Sequence, residues 1–238
     1  GLFVWIESQT AQPLLPLRVL RDRTRAGAFL IQAIVGVLLI GATLFFAFQL
    51  QVVLGFSPLL AGVGNLAMTG AHLLIAPLAA QVFRRFGARA VMTSGPLIAA
   101  IGLFLMSRLT PEGTYWTDMF PGLVFAGTGM AFLFVAIQNV ALTGVDEHDA
   151  GAASAGLNSA MQIGGSIGLA VMTSAFVTLG GRHAVSEQVA LSGYSAVYLI
   201  AAAALLLAAL LAATMIRPSN RPAGMMTTHS AETANAAE

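Results

Sequence analysis

Side chains that could carry acid–base chemistry are scarce within the apolar stretches of this 238-residue sequence. His72 is the titratable candidate there, and two roles are open for it. It is either a neutral imidazole bonded to a neighbouring helix or a proton relay, which needs a titratable group inside the low-dielectric region. The same stretches hold no paired acids, no Ser/His pair and no metal-spaced His cluster. We therefore predict no catalytic site, no metal site, no cofactor and no enzyme activity.

An acidic cluster at Asp146, Glu147 and Asp149, with His148 among them, superficially resembles a set of metal ligands. The alternative is a solvated loop whose negative charge caps the N-terminus of the following helix, where the helix dipole favours anions. We predict the cap. The sequence contains no Cys, which excludes disulfides and Cys-ligated metals within it.

The stretch after this cluster carries two ridges, each with a period of four residues. One ridge has almost no side chain and consists of Ala152, Gly156, Ala160, Gly164 and Gly168. The other consists of uncharged hydrogen-bonding residues, Ser154, Asn158, Gln162 and Ser166. Residues two positions apart are about 200° apart on a helix, so the ridges lie on opposite faces. Small residues that permit close packing, with polar residues that bond across helices, are typical of membrane helices.

The composition of the chain is that of a membrane protein. Hydrophobic residues make up 57% of the sequence and charged residues only 9%, against about 25% charged in a typical soluble domain. The formal net charge of +1 argues against a nucleic-acid partner, which would require a basic patch. We therefore predict a polytopic membrane protein.

Six apolar segments are near or above the roughly 20 residues that a hydrocarbon core of about 30 Å requires. We place these spans at about 27–53, 59–82, 90–107, 119–142, 152–178 and 193–216. Residues 1–26 are predicted to hold the end of a preceding span and an amphipathic cytoplasmic linker, and 217–238 a disordered cytoplasmic tail. Ser57 and Pro58 are predicted to be the N-cap and first residue of the second span, after a tight loop around Gly55.

The distribution of arginines predicts the orientation of the spans. Nine arginines lie in the N-terminal flank or in later segments that six spans would place on the same side of the membrane. They are Arg18, Arg21, Arg23, Arg25, Arg84, Arg85, Arg89, Arg217 and Arg221. The opposite side holds only Arg108 and Arg182. Because basic residues concentrate in cytoplasmic loops, both ends of the six-span unit are predicted to be cytoplasmic.

Three stretches resemble a known family. The segment FVWIESQTAQPLLPLRVLRDRTRAGA is similar to its linker, and FQLQVVLGFSPLLAG to the hairpin between the first two spans of a half. DAGAASAGLNSAMQIGGSIGLAV resembles the fifth span of that half. With these motifs the chain resembles the C-terminal half of a major facilitator superfamily transporter, of the fourteen-span drug:proton antiporter (EmrB/QacA-like) type. The stretch QVFRRFGAR resembles a diverged form of the superfamily's cytoplasmic basic loop. Its loop residues are Arg84, Arg85, Gly87 and Arg89.

The resemblance implies an all-α membrane protein, with six transmembrane helices forming one half of the fold. It implies proton-driven efflux of small hydrophobic or cationic compounds by alternating access, in a bacterial plasma (inner) membrane. The partners would be the lipid bilayer, the missing N-terminal half of the same polypeptide, the substrates and protons. The alternative is a non-transporting, degenerate or regulatory six-span fragment. Coding DNA upstream of Gly1 distinguishes the two, since about eight further in-frame spans would support the transporter.

The resemblance also implies roles for particular residues, because the first and fourth spans of a half line the cavity while the second and fifth meet the other half. The substrate-cavity candidates are Phe45, Phe46, Gln49, Asn65, Thr128, Asn158 and Gln162. The ridge Gly156/Ala160/Gly164/Gly168 would be a close contact with the other half. Two alternatives stay open, namely that both ridges serve packing within this half and that the phenylalanines face lipid or the core.

Overall fold

The computed structural model of the protein describes residues 23–110, 112–142, 147–181 and 187–216, and all regular structure in these ranges is helical. This agrees with the predicted all-α class. Predictions for the linker up to residue 22, for the tail 217–238 and for the side chains of the acidic cluster lie outside the described residues. Helices suit these sequences in a bilayer because every backbone hydrogen bond is satisfied within the segment.

Helix α1 covers 23–53 and alternates between α-helical and π-helical turns. Helices α2 (58–86) and α3 (88–106) are the two parts of the helical stretch Pro58–Met106. Helix α4 (115–142) is the π turn Tyr115–Met119 followed by Phe120–Leu142. Helix α5 (147–181) is Glu147–Phe176 followed by the π turn Val177–Gly181, and α6 is Glu187–Met215. Within α1 the parts are Arg23–Gly36 and Thr43–Phe48, with π-helical Val37–Ala42 and Gln49–Val53.

Among the described residues, five helices are long and apolar enough to cross a membrane. They are Ala26–Val53, Pro58–Met106, Tyr115–Val140, Gly151–Leu179 and Leu191–Met215. The second has 49 residues; at about 1.5 Å per residue it would measure roughly 74 Å if straight. That length is more than twice a hydrocarbon core of about 30 Å.

The stretch Pro58–Met106 reverses direction at Gly87. This residue has φ 80° and ψ 174°, which are not helical values and which favour glycine. The neighbours of α4 show the reversal: α2 runs parallel to α4, with Met68 at Gly127 and His72 at Phe134. Helix α3 instead runs antiparallel to α4, with Gly95 against Gly129 and Gly102 against Gly122. Helices α2 and α3 are therefore antiparallel neighbours joined by a turn.

The connection between α1 and α2 forms as predicted. Gly55 has φ 67°, a left-handed conformation that glycine adopts without steric cost. The hydroxyl of Ser57 accepts a hydrogen bond of 3.2 Å from the amide of Leu60, and Pro58 occupies the first helical position. The cap satisfies one of the free N–H groups at the helix start, so the chain can turn within a few residues.

The six helices form two three-helix units with matching contacts. Helix α1 lies parallel to α5, where Gly36 meets Met161, and antiparallel to α6, where Gly27 meets Met215. Helix α4 relates to α2 and α3 in the same two ways, through the glycine contacts described above. The units 23–106 and 115–215 thus repeat each other, with the first helix of each packed on the last two of the other.

Candidate functional site

Helices α2 and α5 are the least covered by the rest of the chain. On α2, Leu66, Leu73 and Leu74 are exposed, the last to 81%. On α5 all four residues of the polar ridge are exposed, namely Ser154, Asn158, Gln162 and Ser166. Among the described residues the amides of Asn158 and Gln162 have no hydrogen-bond partner, whereas Ser166 Oγ bonds the Gln162 carbonyl at 2.8 Å. The polar ridge is therefore open to a partner.

An apolar edge runs beside the polar ridge on the exposed face of α5. It consists of Ile163, Ile167 and Val171, with exposed fractions of 62%, 60% and 49%. The exposed face of α5 is thus polar along one side and apolar along the other. A face that presents amides on one side and branched aliphatic chains on the other suits a boundary between a polar and an apolar surface better than uniform lipid.

The small-residue ridge on the opposite face packs within the chain, against α1. A Cβ at Gly164 would overlap the backbone of Ala33, and one at Gly168 would lie 2.8 Å from a methyl of Val37. Gly156 is buried and Ala160 half-buried. These contacts match the alternative that this ridge serves packing within the chain, and they leave the polar face of α5 uncovered.

The three cavity candidates on α1 are buried, which matches the alternative that the phenylalanines face the core. Phe45, Phe46 and Gln49 are 3%, 0% and 2% exposed and lie in the core between α1 and the C-terminal helices, not on an open surface. The ring of Phe45 contacts those of Phe176 and Tyr194, while Phe46 contacts Tyr198. Aromatic rings are equally apolar toward lipid, core and cavity, so composition could not assign their direction.

Gln49 makes a buried side-chain hydrogen bond to α6. The hydroxyl of Tyr198 on α6 donates a hydrogen bond to Gln49 Oε1, and Tyr198 is fully buried. The pair joins helices far apart in sequence. Its role is therefore to satisfy two buried polar groups and to fix α6 on α1, not to line a cavity in this conformation.

A cleft of about 200 Å³ lies between α1, α2 and α4 around His72. Its lining is Leu39, Met68, Thr69, His72, Gly127, Met130 and Phe134. The imidazole contacts the ring of Phe134 edge-on, with centroids 5.9 Å apart and planes at 71°. Neither His72 nor Thr69 has a hydrogen-bond partner among the described residues, so the bond to a neighbouring span that one of the two alternatives gives His72 is not formed there.

Two further cavity candidates lie beside this cleft without lining it. Asn65 is one turn before Thr69 on α2; its Nδ2 donates to the Ala61 carbonyl at 3.2 Å, and its buried Oδ1 has no partner in the described residues. Thr128 follows Gly127 on α4 and is half-buried. Sequence reasoning missed the wall formed by Met68, Met130 and Phe134. The available signal was the spacing of Met130 and Phe134, four residues apart on one face of α4.

The predicted basic loop is the turn at Gly87. The side chains of Arg84, Arg85 and Arg89 around it are exposed, and the guanidinium of Arg85 lies 5.4 Å from the centroid of the Phe86 ring. Over the residues that the structure describes, no group of three or more acidic, His or Cys side chains could hold a metal ion.

Comparison with known proteins gives the family. A model described as Major Facilitator Superfamily matches residues 28–232. The puromycin resistance protein of Streptomyces alboniger is 32% identical over 225 residues, which cover 90% of this chain and 45% of that protein. The tetracenomycin C resistance and export protein of Streptomyces glaucescens is 33% identical over 171 residues. These residues cover 71% of this chain and 31% of that protein.

A multidrug resistance protein of Mycobacterium tuberculosis is 31% identical over 174 residues, 73% of this chain and 32% of its own length. The chain thus spans less than half the length of each of these curated relatives. The family model covers most of the chain, and the helical architecture agrees with it. The chain belongs to the Major Facilitator Superfamily, a family of transporters rather than enzymes.

Proposed function

We propose that this chain is the C-terminal six-span half of a secondary transporter that exports small hydrophobic compounds by alternating access, driven by proton entry. Within the superfamily we assign it to the fourteen-span drug:proton antiporter group. The observation that carries the proposal is the pair of uncovered helices, α2 and α5. The second and fifth spans are those that meet the other half in this superfamily.

The six-span count is supported by the reversal at Gly87. Because α2 and α3 are antiparallel, Pro58–Met106 crosses twice, and the apolar segments at 58–86 and 88–106 each have about the length of a core crossing. The two three-helix units with matching contacts fit the three-plus-three repeats within each half of these transporters. Alternating access then follows as rocking of this half against a second one.

The membrane placement rests on the exposed basic turn. Arg84, Arg85 and Arg89 favour a cytoplasmic position for the turn at Gly87, which sets both ends of the six-span unit on the cytoplasmic side of a bacterial inner membrane.

Proton coupling is assigned to the other half. The acidic residues of the described ranges stand at helix starts or in a loop of the backbone: Glu112, Asp118, Glu147, Asp149 and Glu187. A proton relay needs a titratable group within the membrane, and within the described spans His72 offers an imidazole but no acid beside it. Two relatives are named for resistance to puromycin and for resistance to and export of tetracenomycin C, which supports small organic substrates. The non-transporting fragment is the outcome if no export is found.

The test is efflux by the intact reading frame that contains this chain, expressed in a sensitised bacterium. Cells should lose a preloaded lipophilic dye such as Nile red faster than cells with an empty vector, and a protonophore should abolish the difference. Dye loss equal to the vector control, with the protein present in the membrane, would contradict export.

The polar ridge provides a sharper prediction. Asn158→Leu with Gln162→Leu should reduce efflux by about tenfold or more, because each lost polar interaction is worth roughly 1 kcal/mol and tenfold corresponds to about 1.4 kcal/mol. Ile163→Leu with Ile167→Leu on the same exposed face is the matched control and should retain efflux. Equal activity of the two double variants, at equal membrane levels, would remove the ridge from the transport pathway.

A further inference from the structure

The cleft around His72 combines an apolar wall with two unsatisfied polar groups. The wall holds the thioethers of Met68 and Met130 and the ring of Phe134. Thioether sulfur and aromatic edges make favourable contacts with an aromatic ligand, and Met adapts its shape to it. Gly127 lets α4 pack directly on the α2 backbone beside the cleft, since a Cβ there would overlap the Met68 carbonyl oxygen. The cleft therefore suits a flat aromatic ring.

The polar groups of the cleft suit one hydroxyl. Thr69 and His72 are three residues apart on α2, so their side chains are neighbours on one helix face. A neutral imidazole offers one donor and one acceptor, and a hydroxyl offers both. Neither side chain has a hydrogen-bond partner among the described residues. A ligand hydroxyl can donate to one of them and accept from the other at the same time.

The charge of the cleft argues for an uncharged ligand. Its lining contains no carboxylate, and an unpaired cation in an apolar environment costs far more than an uncharged polar group. A cationic compound would find aromatic faces here but no counter-ion. The expectation that this half accepts cationic compounds therefore does not extend to this cleft.

We infer that the cleft binds uncharged aromatic compounds that carry a hydroxyl group on the ring, with the ring against Met68, Met130 and Phe134 and the hydroxyl at Thr69 and His72. The inference rests on the proposed function for its biological meaning. The binding itself is independent of transport, so it can be measured separately.

The experiment is equilibrium dialysis of the intact protein in lipid nanodiscs, with protein-free nanodiscs as the reference for partition into lipid. The probes are 1-naphthol, its methyl ether 1-methoxynaphthalene, and the cation tetraphenylphosphonium. Because a net hydrogen bond is worth roughly 1 kcal/mol, 1-naphthol should bind about five- to tenfold more tightly than the ether. Tetraphenylphosphonium should not displace 1-naphthol.

Thr69→Val and His72→Phe keep the size of the side chain and remove its hydrogen bonding, so each should bring the naphthol-to-ether ratio close to one. Thr214→Val is the matched control because Thr214 Oγ1 bonds the Leu210 carbonyl at 2.9 Å on its own helix, away from the cleft. It should leave the ratio unchanged. Thermal unfolding checks that each variant is folded, and the ratio is taken only from folded protein.

A wild-type ratio near one, a ratio that survives in both Thr69→Val and His72→Phe, or displacement of 1-naphthol by tetraphenylphosphonium would each overturn the inference. Dye efflux separates it from the proposed function. A ratio that responds as expected in a protein without efflux supports the cleft and contradicts transport. Efflux with a flat ratio contradicts the cleft alone.

Discussion

Gly36→Ala is expected to destabilise the protein by about 1–3 kcal/mol, the usual cost of an added group in a closely packed interior. A Cβ at Gly36 would overlap the carbonyl oxygen of Met161 on α5, and backbone cannot move aside as a flexible side chain can. The same crossing is tight from the other helix at Gly164, where Gly164→Leu should leave no folded protein. Unfolding of the intact protein in detergent, followed by circular dichroism, measures the effect.

The matched control is Gly62→Ala, since a Cβ at Gly62 has no atom within 4 Å. Alanine is the better helix former by about 1 kcal/mol, so this variant should be neutral or slightly more stable. A Gly36→Ala protein as stable as Gly62→Ala would show that α1 and α5 are not in close contact. The placement of the small-residue ridge on α1 would then be wrong.

Tyr198→Phe is expected to lower the free energy of unfolding by about 1–2 kcal/mol, because it leaves the buried Gln49 amide without its donor. Hydrogen bonds between membrane helices average about 0.6 kcal/mol and reach about 1.7 kcal/mol, and the additional loss here comes from the buried amide that is left unsatisfied. Gln49→Leu should cost a similar amount. The double variant should cost less than the sum of the two, as groups in direct contact are coupled.

Tyr194→Phe is the matched control for this pair. Tyr194 is 3% exposed and packs between Phe45 and Phe176, but its hydroxyl has no hydrogen-bond partner among the described residues. It should unfold within about 0.5 kcal/mol of the unmodified protein, as substitutions away from a specific interaction usually do. Strict additivity of Tyr198→Phe and Gln49→Leu would mean that the two side chains do not interact.

Local signals predicted the connection between α1 and α2 well. The turn at Gly55, the cap at Ser57 and the proline at position 58 each follow from the conformational limits of one residue type. The two ridges of α5 likewise follow from helical geometry alone, and the structure places them on opposite faces. Such features depend on neighbours in sequence, which the sequence displays directly.

The direction of each face was harder to predict, because it depends on contacts between distant helices. The small-residue ridge lies on α1, while the polar ridge is left open, and nothing in α5 itself specifies this. Phe45 and Phe46 illustrate the same limit. In a soluble protein water would separate core from surface, whereas lipid is as apolar as the core, so hydrophobicity does not distinguish them.

The cleft shows a further limit. Met68 and His72 on α2 meet Met130 and Phe134 on α4 because these helices are parallel neighbours that are not consecutive in sequence. The cleft could be predicted only with the topology known, in particular the reversal of the chain at Gly87. His72 could be selected from the sequence as a titratable group in an apolar span, but its aromatic and thioether surroundings could not.

The most direct measurement concerns what covers the polar ridge. A nitroxide attached to Gln162→Cys in the intact protein, in lipid and with any other cysteines removed, reports collisions with oxygen, which concentrates in the lipid core. The reference is Leu206→Cys on α6, which is 52% exposed on an entirely apolar stretch. We expect clearly lower oxygen accessibility at 162 than at 206, because in the proposed transporter a second half or a water-filled pathway would cover α5. Equal, high oxygen accessibility at both positions would place the ridge in lipid and contradict the assignment of this chain as one half of a transporter.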